Sequence, residues 1–162
     1  MEKHFELTEE SKTNTFGVKL FRIRCTRKVG DIEIGTLGGW VESLENLSGN
    51  AWVSGDAEVY GNAWVYGNAW VFGNAKVNGN AEVCGDAWIY NNDDYCCFQS
   101  FGSAYRTTTV FRETDGGVKI VRGCFSGTLC EFEKAVEKRH GNSKYGQEYK
   151  AIINVIKIRF NI

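Results

Sequence analysis

Between Gly49 and Tyr90 one six-residue pattern occurs seven times without interruption: Gly, Asn or Asp, Ala, a variable residue, Val or Ile, and a second variable residue. Two looser copies, Leu37–Glu42 and Ser43–Ser48, precede them and put Val41 and Leu47 at the aliphatic position. An aliphatic residue flanked by variable ones is the pattern of a short strand with one side chain inward and its neighbours outward. Gly-Asn and Gly-Asp supply the turns, because both residue types accept positive φ. The alanine is small enough for a tight corner. One repeat cannot bury its own valine, so the repeats must stack, and each buried aliphatic side chain then contributes about 1.5–3 kcal/mol. The pattern predicts a mainly β protein.

Both flanks read differently. Residues 15–25 alternate well enough for a strand, with Phe21, Ile23 and Cys25 on one side, and 31–36 read as a second strand leading into the repeats. Lys19, Arg22, Arg24, Arg27 and Lys28 make this segment basic, which fits either a charged strand edge or an anion site. Beyond Asn91-Asn92-Asp93-Asp94, residues 95–102, 105–112 and 117–123 read as strands, with a hairpin turn at Thr114–Gly117. Thr128 and Glu131 have the spacing of a capping box and open a helix with Leu129, Phe132, Ala135 and Val136 on its apolar face. His140-Gly141-Asn142 ends it. A second helix over 144–160 carries Tyr145, Tyr149, Ile152, Ile153, Ile156 and Phe160 on one face. The expected organisation is an N-terminal β-hairpin cap (1–36), the repeat region (37–92) and a C-terminal α+β unit (93–162).

The matching elements, aliphatic then small four residues later as in Val59 and Ala63, resemble the left-handed parallel β-helix of the hexapeptide-repeat proteins. In that family three repeats form one triangular coil of eighteen residues, which implies about three coils here. Outward residues eighteen apart then form ladders. One face carries Trp52, Trp70 and Trp88, with Phe72 and Tyr90 beside them. An aromatic surface of that height implies cover by the rest of the chain, by another subunit or by a stacked ligand. The second face carries Trp40, Glu58 and Lys76, and the third Asn46, Trp64 and Glu82.

Composition narrows the classes. The chain has 162 residues, a formal net charge of −1, 19 glycines and no proline, so its turns rest on Gly, Asn and Asp. The charge balance argues against a sequence-specific nucleic-acid binder. No apolar run is long enough to span a bilayer, and the charged start Met1–Glu6 lacks a secretory signal, which predicts a cytoplasmic location. Cys25, Cys84, Cys96, Cys97, Cys124 and Cys130 miss paired zinc-ligand spacing and read as free thiols; no metal or cofactor is expected.

Catalysis is not expected either. Hexapeptide-repeat acyltransferases use a histidine on or near the β-helix, and this chain has only His4 and His140, both outside the repeats. Glu58 and Glu82 read as solvated strand charges without a partner. The most site-like segment is Arg122–Thr128, read as a glycine-rich strand-to-helix turn whose free N–H groups suit a phosphate. Arg122, Ser126, Gly127 and Thr128 would line it, and Arg106 and Arg112 would reach it from the neighbouring strand. A capped helix start after a tight turn has the same sequence signature.

Two segments extend the resemblance. Leu37-Gly-Gly-Trp-Val-Glu42 with Asn46-Leu-Ser48, and Gly123-Cys-Phe-Ser-Gly-Thr-Leu-Cys-Glu-Phe132, look like phage and prophage hexapeptide-repeat proteins. That resemblance implies a phage-derived accessory protein acting in a bacterial host cell, and it supplies no catalytic residue. The expected function is a non-catalytic binding protein that inhibits host defence, by sequestering a nucleotide messenger or by occupying a host defence protein. It is expected to form a homo-oligomer, with a trimer favoured. A trimerising structural module of a phage assembly and an acyltransferase-like enzyme are the alternatives.

Overall fold

A computed structural model describes residues 3–162. The chain is mainly β with two C-terminal helices, and it falls into two units, one ending at Asn92 and the other running Asp93–Ile162.

In the first unit β1 (Phe5–Thr13) and β2 (Lys19–Cys25) form an antiparallel hairpin, and β2 pairs antiparallel with β3 (Leu37–Val41). Seven two-residue strands follow, one per repeat: β4 (Trp52–Val53), β5 (Glu58–Val59), β6 (Trp64–Val65), β7 (Trp70–Val71), β8 (Lys76–Val77), β9 (Glu82–Val83) and β10 (Trp88–Ile89). They pair in parallel at a constant offset of eighteen residues. Val41, Val59 and Val77 share one ladder, Val53, Val71 and Ile89 a second, and Leu47, Val65 and Val83 a third. All nine of these side chains are fully buried, as are nearly all the repeat alanines. The repeat glycines sit at φ between +64° and +73°, the left-handed region that costs an L side chain about 1–2 kcal/mol. Exposed amides stack at the same period, with Asn50 donating to Asn68 (3.2 Å) and Asn68 to Asp86 (3.3 Å).

Segment 31–36, expected as a strand, is a turn region closed by a single Val29–Ile32 bridge, with Gly30 and Gly35 at positive φ. The partner of β2 is β1 instead, a polar segment whose alternation is too weak to read as a strand. Its Lys12 corrects the reading of Glu58, which is 4% exposed and lies 2.8 Å from Lys12 and 3.7 Å from Lys76. Lys12 and Arg22 also lie over the Trp40 ring, at 4.6 and 5.6 Å. The basic N-terminal segment is largely neutralised, since Arg22, Arg24 and Lys28 pair with Glu10, Glu6 and Glu33.

The second unit is a four-stranded antiparallel meander, β11 (Tyr95–Phe101), β12 (Arg106–Arg112), β13 (Val118–Arg122) and β14 (Phe125–Thr128), followed by α1 (Leu129–His140) and α2 (Lys144–Phe160). One core holds Val110, Val118 and Ile120 of the sheet against Phe132 and Val136 of α1 and Tyr149, Ile152, Ile153, Ile156 and Phe160 of α2. The capping box forms as expected: Thr128 Oγ1 accepts from Glu131 N (3.3 Å) and Glu131 Oε2 accepts from Thr128 N (2.8 Å). Among the described residues no helix is long and apolar enough to cross a membrane.

Candidate anion site in the C-terminal unit

The segment expected to be a phosphate-binding turn is mostly a strand. Gly123-Cys124 is a two-residue hairpin turn, and Phe125–Thr128 pairs with β13 through Arg122↔Phe125, Val121↔Ser126, Ile120↔Gly127 and Lys119↔Thr128. Strand alternation therefore separates Ser126 from Arg122, because Ser126 pairs with Val121 on the face opposite the helix-covered Ile120 and Arg122. The α1 N-terminus already has its anion, the Glu131 carboxylate. A Cβ at Gly127 would press on that same carboxylate, 2.7 Å from Oε2. Arg112 is also engaged elsewhere: its Nη2 donates to Phe160 O (2.9 Å), its Nε lies 3.5 Å from Asp94, and its guanidinium stacks over Phe160. Ser126, Gly127, Thr128 and Arg112 thus do not form a site with Arg122.

Arg106 and Arg122 do come together. Each lies at a strand end on the face whose centre is the apolar core beneath the helices. Arg139 and His140 join them from the last turn of α1, around a cavity of about 310 Å³ that Ser103, Ala104, Cys124 and Phe125 complete. A smaller cavity of about 110 Å³ shares Arg122, Phe125, Arg139 and His140 and is walled by Phe132 and Tyr149. Among the described residues no carboxylate lines either cavity. Glu148, on the neighbouring helix, is held by Gly102 N (2.9 Å).

Arg122 is the most constrained cation. Its guanidinium lies over the Tyr149 ring at 5.2 Å, and its Nε and Nη2 are buried without a hydrogen-bond partner among the described residues. Those two nitrogens form the fork that grips both oxygens of a phosphate or carboxylate. Leaving buried donors unsatisfied costs about 1–3 kcal/mol, and more for charged groups. One glycine makes room for the buried Tyr149 ring, and a second lies against the flexible end of Arg106. A Cβ at Gly123 would collide with Arg106 Nη1, and one at Gly102 with the Tyr149 hydroxyl. Burial pushes that hydroxyl above the usual phenol range, against the pull of Arg122 and Arg139. His140 packs against the Tyr149 and Tyr145 rings at 5.5 and 6.2 Å.

The sequence marks His140 only as the end of α1 and does not single out Arg139, a cation in the last turn of that helix. The separate groove between α1 and α2 is larger, about 520 Å³, but four of its charged residues pair with each other, Lys150 with Glu137 (2.9 Å) and Lys157 with Glu133 (2.6 Å).

In the first unit the expected aromatic ladder is present and graded. Trp52 is 2% exposed, beneath His4, whose ring lies 6.0 Å away and whose Nε2 meets Ala51 O at 3.0 Å. Burial holds the His4 imidazole below its usual range. Trp70 and Trp88 stack at 5.8 Å and 13°, and Phe72 meets Trp88 and Tyr90 edge-on. Trp88 and Tyr90 are 42% and 57% exposed, so the first unit itself covers the ladder at its Trp52 end. No protein-family model matches the sequence, and no curated protein matches it.

Proposed function

We propose that this chain is a non-catalytic binding protein whose C-terminal unit captures a phosphate-bearing small molecule. The buried Nε–Nη2 fork of Arg122 carries this reading, because among the described residues it has no hydrogen-bond partner and stands beside a cavity with two further arginines and no lining carboxylate. Clustered guanidinium groups favour phosphate. The eighteen-residue ladders support a left-handed parallel β-helix as the scaffold, and the repeat motifs support kinship with phage hexapeptide-repeat proteins. In that setting the protein sequesters a nucleotide messenger of host defence in the bacterial cytoplasm. The buried His4, committed to Ala51 O, supports a non-catalytic role.

A thermal-shift panel of nucleotides, acyl-CoA and divalent metals tests the reading. A rise of several degrees with a nucleotide, lost in Arg122→Ala, is expected. Absence of any nucleotide shift contradicts it. Cys124 lines the same cavity, so release of phosphate that stops in Cys124→Ser would replace capture with catalysis.

A second reading, that the repeat region binds a host protein or further copies of itself, is supported by exposed Trp64, Trp88 and Tyr90. A trimer by light scattering that dissociates in Trp88→Ala would favour it.

A further inference from the structure

Three guanidinium groups converge on the 310 Å³ cavity from three separate elements, β12, β13 and α1. The helix C-terminus accounts for Arg139, whose charge offsets the exposed carbonyls there. It does not account for Arg106 or Arg122, which come from strand ends. The volume is at the lower end of the range of small-molecule sites, about 300–1,000 Å³, and larger than a lone phosphate requires. Arg122 and Arg106 are also held separately. Arg122 lies over the Tyr149 ring at 5.2 Å, whereas Arg106 extends exposed past the Gly123 turn, with its Nη1 against the position a Cβ would take.

Resting on the proposed phosphate-capture reading, we infer that the cavity takes a ligand carrying two phosphate groups, one on the Arg122 fork and one on Arg106 and Arg139. A small swing of the Arg122 guanidinium off Tyr149 presents Nε and Nη2 to the first phosphate. That movement replaces an unsatisfied buried fork with two charge-assisted hydrogen bonds. A second phosphate meets the remaining pair of positive charges. A single phosphate leaves that pair unneutralised, so the site discriminates by charge number as well as by shape. Phe125, on the wall of the same cavity, offers a ring for a nucleobase.

The test is calorimetric titration at fixed ionic strength with three pairs: inorganic phosphate and pyrophosphate, AMP and ADP, cyclic AMP and a cyclic dinucleotide. The two-phosphate member of at least one pair is expected to bind tenfold tighter or more, and the tightest identifies the source of the phosphates. Arg106→Ala removes that advantage while leaving single-phosphate binding, and Arg122→Ala weakens both members. Equal binding within every pair overturns the two-phosphate inference while leaving phosphate capture standing. Binding of none of the six overturns the capture reading itself. Should Arg106→Ala lose its circular dichroism signature, the comparison within pairs on the unmodified protein decides alone.

Discussion

Stacking at an eighteen-residue period places repeat glycines directly over one another, and Gly67→Ala tests this quantitatively. Gly67 has φ +73°, and a Cβ there would lie 2.9 Å from Gly85 N and 3.3 Å from Gly85 Cα and O. These are backbone atoms of the repeat eighteen residues on, fixed by the Asn68 N to Gly85 O bond (2.9 Å), so they cannot rotate away. Gly17 provides the control, with φ +80° and no atom within 4 Å of its ideal Cβ. Both alanines incur left-handed strain of about 1–2 kcal/mol. Both regain about 0.4–1 kcal/mol from a less flexible unfolded chain. Gly67→Ala adds overpacking against backbone, about 1–3 kcal/mol. The expected losses are therefore about 0–1.5 kcal/mol for Gly17→Ala and about 1–4.5 kcal/mol for Gly67→Ala. Urea unfolding followed by tryptophan emission is the assay, because Trp40, Trp52, Trp64, Trp70 and Trp88 all lie in the first unit with both glycines. Asparagine tolerates left-handed φ, so Gly17→Asn should recover part of the loss and Gly67→Asn should not. Equal losses at the two positions would refute the eighteen-residue stacking of the glycines.

Thr128→Ala should destabilise α1 by about 1 kcal/mol, read by far-ultraviolet circular dichroism during denaturation. Glu131, held below its usual range by the Thr128 backbone and side-chain hydrogen bonds, adds a pH dependence to the same cap. A depressed folded-state pKa stabilises fully above the ordinary value of 4.5 and is lost as pH falls through the lower folded value. A capping contribution unchanged between pH 6 and about pH 3 would contradict this. Thiol labelling at pH 8 should modify Cys124 and Cys130 quickly, since both are exposed. Cys96 should react slowly, because burial pushes its thiol up to about 11 against the pull of Arg159, and Cys97 shifts in the same direction by burial. Peptide mapping that finds Cys96 labelled as fast as Cys124 would contradict the packing of β11.

The repeat region was legible because its signal is local and periodic. Val53, Val71 and Ile89 announce a common ladder by spacing alone, and the capping box of α1 is a four-residue pattern. What escaped the sequence depends on remote partners. The β1 strand is mostly polar, yet it buries Glu58 with Lys12 and places His4 on Trp52. Residues 31–36 alternate like a strand, but glycines at 30 and 35 fold them back into a turn. At the site, Arg122 and Arg106 stood out as cations, whereas the glycine and serine content of 123–128 disguised β14 as a loop. That reading put the expected phosphate at a helix N-terminus that the Glu131 carboxylate already caps. The convergence of Arg139 and His140 on Arg106 and Arg122 follows from how α1 crosses the sheet, which no local pattern encodes.

The most direct test of where an anion binds is an amide NMR titration with ADP and, separately, pyrophosphate. Shifts are expected to concentrate at Arg106, Arg122–Phe125 and Arg139–His140, and to disappear in Arg122→Ala. Shifts confined to Thr128–Glu131, or to the first unit, would contradict it.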